Sequence, residues 1–177
     1  MAQQLIVEGK DAIALANLLK KRSLPSPLGY ETSRKFSNDF VKQAGSVSKV
    51  DTVLENALLQ PSMNNIGIIV DANNVGAEER LNNLIKTITK TLNYTFQAQP
   101  KLTSRGFTTR ILPELMLGIW IMPNNQDDGY LEHFLLDLIE KDNELLVFAK
   151  AKIEELIVKG MNRFSKVKKE KAILEHV

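Results

Sequence analysis

The sequence of 177 residues contains no cysteine and only two histidines. The lack of cysteine excludes disulfide bonds, thiolate catalysis and zinc sites of the cysteine type. No apolar run approaches the roughly 20 residues that a membrane-spanning helix needs, and we expect no signal peptide before the first strand. These absences favour a cytoplasmic protein that does not interact with a membrane.

Several motifs that would identify an enzyme class are also missing. The sequence has no glycine-rich dinucleotide fingerprint and no phosphate-loop lysine motif. A Ser-His-Asp arrangement is not supported, because the sequence has only two histidines, His133 and His176, and neither is well placed for it. The formal net charge of +2 is too small to indicate a nucleic-acid partner by itself.

The composition is that of an ordinary globular domain. Apolar residues make up 44% and charged residues 25% of the sequence, and the length is close to that of one typical domain with a full hydrophobic core. We therefore expect one domain over residues 1–177, with a C-terminal helical extension from about residue 142.

Short apolar strands alternate with amphipathic helices along the chain. The predicted strands are Leu5–Val7, a weak strand in DFVKQAG, Ile66–Val70 and Leu115–Pro123. The predicted helices are Asp11–Lys21, Ser48–Leu59 with a capping box at Ser48, Gly76–Leu92, Tyr130–Lys141 and a long stretch from Asp142. Between residues 95 and 114 we expect a hairpin or an irregular insertion. The pattern predicts an α/β fold with a mostly parallel, Rossmann-like central sheet flanked by helices.

Acidic residues follow three of the apolar strands. They are Glu8 after the first strand, Asp71 after Ile66–Val70, and Asp127, Asp128 and Glu132 after the last strand. In parallel sheets ligands bind beyond the carboxyl ends of the strands, so adjacent strands would bring these acids to one rim. Carboxylates gathered there repel one another unless a cation joins them, and Mg²⁺ or Mn²⁺ prefers such oxygen ligands.

Helix capping is the alternative role for acids at these positions. We favour it for Asp11, Glu78 and Asp127, because helix starts are rich in such residues. Glu132 differs, since it falls at the edge of the apolar arc of its predicted helix. We expect Glu132 to face the rim beside Asp71.

Basic residues and a glycine near the same strand ends are candidates for phosphate binding. Lys42 and Gly45 precede a predicted helix start, where backbone N–H groups can hold an anion. Lys10 lies beside Glu8, and Arg80 lies one turn into the helix that follows Asp71. The alternatives are a glycine turn with a serine cap for Gly45, charge compensation for Lys10 and a surface role for Arg80.

The segments LIVEGKD and IGIIVDANN resemble the Toprim domain of topoisomerases, bacterial primases and overcoming-lysogenization-defect nucleases. The third segment, GIWIMPNNQDDGYLEHFLLDLI, resembles an uncharacterised bacterial and archaeal branch of Toprim-like proteins. The resemblance runs from about Leu5 to Ile139. It implies that Pro123 and Asn125 shape the loop at the rim.

The resemblance also implies roles for individual residues. Glu8 matches the glutamate of the family, which acts as general base or acid and as a metal contact, and Asp71 matches the first aspartate of an Asp-x-Asp pair. Asn73 replaces the second aspartate, which keeps an oxygen ligand but removes a charge. Either Glu132 or Asp128 supplies the missing carboxylate, or the site binds metal weakly, or it is inactive.

Three functions therefore stay open at this point, of which the third is a domain whose substrate is a small phosphorylated molecule. The first is Mg²⁺- or Mn²⁺-dependent chemistry on the phosphodiesters of DNA or RNA, of the nuclease type. The second is a Toprim-derived regulatory module without catalysis, which binds nucleic acid or a protein partner, including a second copy of the chain. The substrate and the oligomeric state do not follow from the sequence.

Overall fold

The computed structural model describes residues 2–9, 40–165 and 168–177. The predicted helix Asp11–Lys21 and the candidate phosphate ligand Lys10 lie outside these ranges. The strands are β1 (Ala2–Val7), β2 (Val41–Gln43), β3 (Met63–Asp71), β4 (Phe107–Leu112) and β5 (Leu115–Met122). The helices are α1 (Val47–Leu58), α2 (Ala77–Leu92), α3 (Leu131–Asp137), α4 (Glu144–Val158) and α5 (Lys169–Leu174).

The five strands form one sheet in the order β2-β1-β3-β5-β4. Neighbouring strands are parallel from β2 to β5, and only the edge strand β4 is antiparallel to its neighbour. Because β1, β3 and β5 are adjacent and parallel, their carboxyl ends lie on the same side of the sheet, which we call the rim. The predicted α/β fold with a mostly parallel sheet and flanking helices is confirmed.

The apolar strand residues are buried in the main hydrophobic core. Ile6, Ile68 and Ile119 lie side by side across the three central strands and are each at most 3% exposed. The helices α1 and α2 contribute buried residues at helical spacing, namely Val50, Leu54, Leu81, Leu84 and Ile88. Burial of this apolar surface is the main favourable term in folding, so the core fixes the strand ends that carry the polar residues.

The C-terminal helices pack around a second, smaller apolar cluster. It contains Leu146, Ala149 and Ile153 of α4 with Ala172 and Ile173 of α5. Among the described residues, no helix has both the length and the apolar character that crossing a membrane requires.

Several element boundaries differ from the predictions. The helix α1 begins after Ser46, so the predicted capping box at Ser48 does not form, and the Ser46 Oγ instead lies 3.1 Å from the Ser48 Oγ. The left-handed backbone at Gly45 (φ 86°) turns the chain from β2 into this helix, so that Ser46 and not Ser48 is the residue before its first turn. The irregular region before β5 contains β4, and these two strands form the hairpin that was one of the two alternatives.

The predicted helix Tyr130–Lys141 and the final helical stretch are also shorter than expected. The helix α3 ends at Asp137, and α4 begins after Asn143, whose side-chain Oδ1 accepts the Leu146 N–H at 3.1 Å. The left-handed backbone at Gly160 (φ 62°) follows the end of α4 and separates it from α5. An asparagine cap and a glycine after the last turn therefore set the two ends of α4.

Candidate functional site

The candidate site lies at the carboxyl ends of β1, β3 and β5. Strand pairing aligns Val7 with Ile69, and Asp71 with Met122. Glu8 continues from β1, and its N–H donates to the Ile69 carbonyl at 3.3 Å. The first two predicted acids, Glu8 and Asp71, are therefore neighbours on one rim.

Glu8 is half-buried and receives a hydrogen bond from the main chain of Asp71. The Asp71 N–H donates to the Glu8 Oε2 at 3.3 Å. Burial raises the pKa of Glu8 above its ordinary value of 4.5, and the Asp71 N–H, the Arg80 charge and the Asn73 side chain offset part of this rise. Glu8 thus holds its proton to a higher pH than an exposed glutamate does.

Asp71 connects the site to two helices. Its carboxylate Oδ1 accepts the N–H of Leu131, the first residue of α3, at 3.2 Å. Its main-chain carbonyl accepts from the Arg80 Nε of α2 at 3.1 Å. A carboxylate is the preferred charge at a helix N-terminus, so Asp71 stabilises α3 in addition to any role with a cation.

The backbone conformation at residue 73 favours asparagine. Its φ of 53° lies in the left-handed region, which asparagine tolerates better than most residues. Its N–H donates to the Gly129 carbonyl at 2.9 Å, and the Gly129 N–H donates back to the Asn73 carbonyl at 3.1 Å. This pair joins the loop after β3 to the loop after β5.

The Asn73 side chain points its amide nitrogen towards the acids. Its Nδ2 donates to the Asp71 carbonyl at 3.4 Å, and its side chain hydrogen-bonds to Glu8. An amide nitrogen donates hydrogen bonds and does not bind a cation. For Asn73 to act as an oxygen ligand, this amide has to turn over.

The structure places the remaining predicted acids around the same loop. Asp128 is exposed, and a Cβ added to Gly76 at the start of α2 would lie 3.2 Å from the Asp128 Oδ1. Asp128 also borders a cleft of about 420 Å³ that His133 and Glu170 line. Glu132 is half-buried in the first turn of α3.

Over residues 2–9, 40–165 and 168–177, no three histidine, cysteine, aspartate or glutamate side chains are grouped so that they could hold a metal ion. The contacts bring together Glu8 and Asp71, with Asn73 and Arg80 beside them. Asp128 and Glu132 as metal ligands stay predictions.

Two of the proposed phosphate ligands lie in the edge strand β2 or shortly after it. The Gly45 N–H donates to the Glu8 carbonyl at 2.8 Å, so this amide already has an acceptor in the main chain. Lys42 is exposed on the short edge strand β2. Arg80 donates a hydrogen bond to the Asp71 carbonyl, which places this basic residue beside the acids.

Asn125 shapes the rim loop, as expected from the resemblance. It is 2% exposed and has φ 67°. Its N–H donates to the Ile121 carbonyl at 2.8 Å, and its Oδ1 accepts the Ile121 N–H at 2.8 Å. This double contact folds the loop back onto the end of β5.

Two contacts in this region have no local sequence signal. The pairing of Asn73 with Gly129 joins residues far apart in the chain, and the His133 ring caps α3 by accepting the Tyr130 N–H at its Nδ1 at 3.2 Å. The His133 Nε2 also lies 3.8 Å from the Glu170 Oε1 of α5. His133 therefore has a structural role in this arrangement.

A family model described as "Protein of unknown function (DUF3226)" matches residues 2–177, and the chain belongs to this family. No curated protein and no solved structure matches the chain.

The first prediction concerns the rim loop. We expect Asn125→Ala to lower the free energy of unfolding by about 2–3 kcal/mol, because it leaves the buried Ile121 N–H without its acceptor and places alanine in a left-handed conformation. The exposed neighbour Gln126 serves as the control, and Gln126→Ala should change stability by less than about 0.5 kcal/mol. Urea denaturation measures both, and equal losses would show that the Asn125 contacts do not hold the loop.

The second prediction concerns the proton on Glu8. Because the folded-state pKa is raised, the folded protein binds this proton more tightly than the unfolded chain does. The contribution of this proton to the free energy of unfolding is present below the ordinary pKa of 4.5, and it is lost as the pH rises through the folded-state pKa. Gln at position 8 stays neutral, so Glu8→Gln should unfold at a higher temperature than the wild type at pH 7 without divalent cations.

This difference should shrink as the pH falls towards about 4, where the wild-type carboxyl is also neutral. Thermal unfolding in EDTA between pH 4 and pH 8 measures it. A difference that is the same at every pH would contradict the raised pKa.

Proposed function

We propose that this chain is a Toprim-like domain that uses Mg²⁺ or Mn²⁺ in nuclease-type chemistry on the phosphodiesters of DNA or RNA. The observation that supports it is the contact between Glu8 and Asp71 at the ends of two adjacent parallel strands. Glu8 and Asp71 lie in the segments LIVEGKD and IGIIVDANN, which resemble the Toprim domain. In that domain the corresponding acids bind Mg²⁺, and we therefore interpret the contact as part of a metal site.

The donor set fits a hard divalent cation. Glu8 and Asp71 offer carboxylate oxygens, and proteins commonly hold Mg²⁺ through one or two carboxylates together with substrate phosphates and water. Asn73 is proposed as a neutral ligand once its amide turns over, and Glu132 and Asp128 are proposed as further carboxylates. When bound, the cation would polarise a phosphoryl oxygen and neutralise the charge that develops on it.

Glu8 is the proposed acid or base. General acid–base catalysis is most effective when the pKa of the catalytic group lies near the working pH. Burial moves the pKa of Glu8 in that direction. Arg80 is proposed to bind a phosphate oxygen, because its Nε contact with the Asp71 carbonyl fixes the side chain beside the acids.

A second candidate function is favoured by Asn73. With asparagine in place of the second aspartate, the rim has one fewer carboxylate than the family pattern, and metal affinity is expected to fall. The alternative proposal is a regulatory module without catalysis that binds nucleic acid or a protein partner.

The first test of the reaction is a cleavage assay with single-stranded and duplex DNA and RNA in Mg²⁺ or Mn²⁺. We expect cleavage by the wild type and a loss of about 10²- to 10⁴-fold in Glu8→Gln, because the variant cannot exchange a proton. Glu114→Gln is the matched control, since Glu114 is exposed in the turn between β4 and β5 at the opposite edge of the sheet. Its activity should equal that of the wild type.

If Glu8→Gln and the wild type behave identically, the catalytic proposal is wrong. If neither cleaves any substrate, the regulatory module becomes the better account.

The second test separates the metal role of Asp71 from its role at the start of α3. Asp71→Asn retains an Oδ1 that can accept the Leu131 N–H, but it loses the negative charge. We expect the melting temperature in EDTA to change little and the affinity for Mn²⁺, measured by isothermal titration calorimetry, to fall by about tenfold or more. Wild-type affinity in Asp71→Asn, or no binding by the wild type at millimolar Mn²⁺, would contradict a metal site here.

A further inference from the structure

A cleft of about 360 Å³ lies between α1 and α2, next to the end of β3. Its apolar wall consists of the half-buried Val47, and behind it lie Val50, Val70 and Leu84, which are each at most 3% exposed. Ser48 of α1 and Asn83 of α2 add polar groups that can form hydrogen bonds. A small cavity with an apolar wall and a few polar groups is the usual form of a small-molecule site, and this volume is near the lower end of the range of about 300–1,000 Å³.

Two cationic side chains line this cleft. Arg80 and Lys86 both belong to α2, and they face one carboxylate, Asp51 of α1. The Asp51 Oδ1 accepts a hydrogen bond from the Thr87 Oγ1 at 2.9 Å, and this contact joins the two helices. The charged groups that line the cleft therefore carry a net charge of +1, which favours an anion.

Arg80 links the cleft to the candidate active site. The same side chain that lines the cleft donates from its Nε to the Asp71 carbonyl, and its charge acts on Glu8. An anion bound to Arg80 would lie directly beside the acidic rim. The first turn of α1, which also borders the cleft, contains no acidic residue that would repel it.

We propose that this cleft binds one nucleotide unit, with its phosphate on Arg80 and Lys86 and its sugar and base against the apolar wall and the Asn83 amide. The proposal deepens the proposed function, on which it rests, because it names the place where a nucleotide next to the reacting phosphodiester is held. The volume of about 360 Å³ is in the range for one small-molecule ligand, and it is too small for a duplex to enter. A free nucleotide and a unit within a single strand share this chemistry.

Binding is tested on the full chain in EDTA, so that no metal-dependent step contributes. The probes are a nucleoside 5′-monophosphate and a fluorescently labelled single-stranded oligonucleotide. Lys86→Gln should raise the dissociation constant about tenfold for the probe that binds. For the oligonucleotide, the slope of the logarithm of the binding constant against the logarithm of the salt concentration should become smaller in magnitude by about 0.7, because one phosphate contact is lost. Binding of the monophosphate indicates a free nucleotide as ligand, and binding of the oligonucleotide alone indicates a strand.

Lys90→Gln is the matched control. Lys90 lies one turn further along α2, is exposed, and does not line the cleft, so the variant removes the same charge from the same helix. Its Kd should equal that of the wild type. Equal weakening by the two variants would show only a general effect of surface charge and would overturn the proposal, as would no binding of either probe by the wild type.

Ser48→Glu tests the cleft from the opposite helix without weakening the fold. A glutamate in the first turn of α1 is favourable for the helix dipole, but it brings a negative charge to the cleft. We expect the melting temperature to be retained and nucleotide binding to be lost. Wild-type binding by Ser48→Glu would overturn the proposal.

These outcomes are distinguishable from a failure of the proposed reaction. Binding that depends on Lys86 and Ser48 without any cleavage supports the cleft and contradicts the enzyme. Cleavage that depends on Glu8, combined with wild-type nucleotide binding in both cleft variants, supports the enzyme and contradicts the cleft.

Discussion

The position of Asp71 at the last residue of β3 is the constraint on which the arrangement of the site depends. Its N–H donates to Glu8, its carbonyl accepts from Arg80, and its carboxylate accepts the N–H of Leu131. One residue therefore joins the end of β1, the helix α2 and the helix α3. The contact with Glu8 requires that β1 and β3 are adjacent and parallel, so that both strands end on the same side of the sheet.

This constraint has a consequence for the proposed chemistry. The carboxylate that is proposed to bind a cation also stabilises the N-terminus of α3, and a cation at Asp71 would compete electrostatically with that helix end. Asn73 also contacts both acids, since its amide donates to the Asp71 carbonyl and its side chain hydrogen-bonds to Glu8. The same contacts would hold the acids in place in a catalytic site and in a regulatory module. Metal affinity is therefore what separates the two proposed functions.

Much of the fold was predictable from the sequence, because its signals are local. The strand around Ile66–Val70 and the strand from Leu115 are continuous apolar runs, and α2 has apolar residues at helical spacing. The meeting of Glu8 with Asp71 also followed once the strands were taken as parallel neighbours. The pairing of Asn73 with Gly129 was not predictable, because it depends on contacts between distant loops. The same holds for the cleft between α1 and α2, whose lining residues come together only when the two helices pack.

The account is tested most directly by soaking crystals of the protein in Mn²⁺ and measuring anomalous diffraction. We predict an anomalous peak within coordination distance of both the Glu8 and the Asp71 carboxylates, and no such peak in crystals of Asp71→Asn. A map with no peak between these two side chains, at a Mn²⁺ concentration that gives peaks elsewhere on the molecule, would contradict the claim that the two strand ends form a metal site.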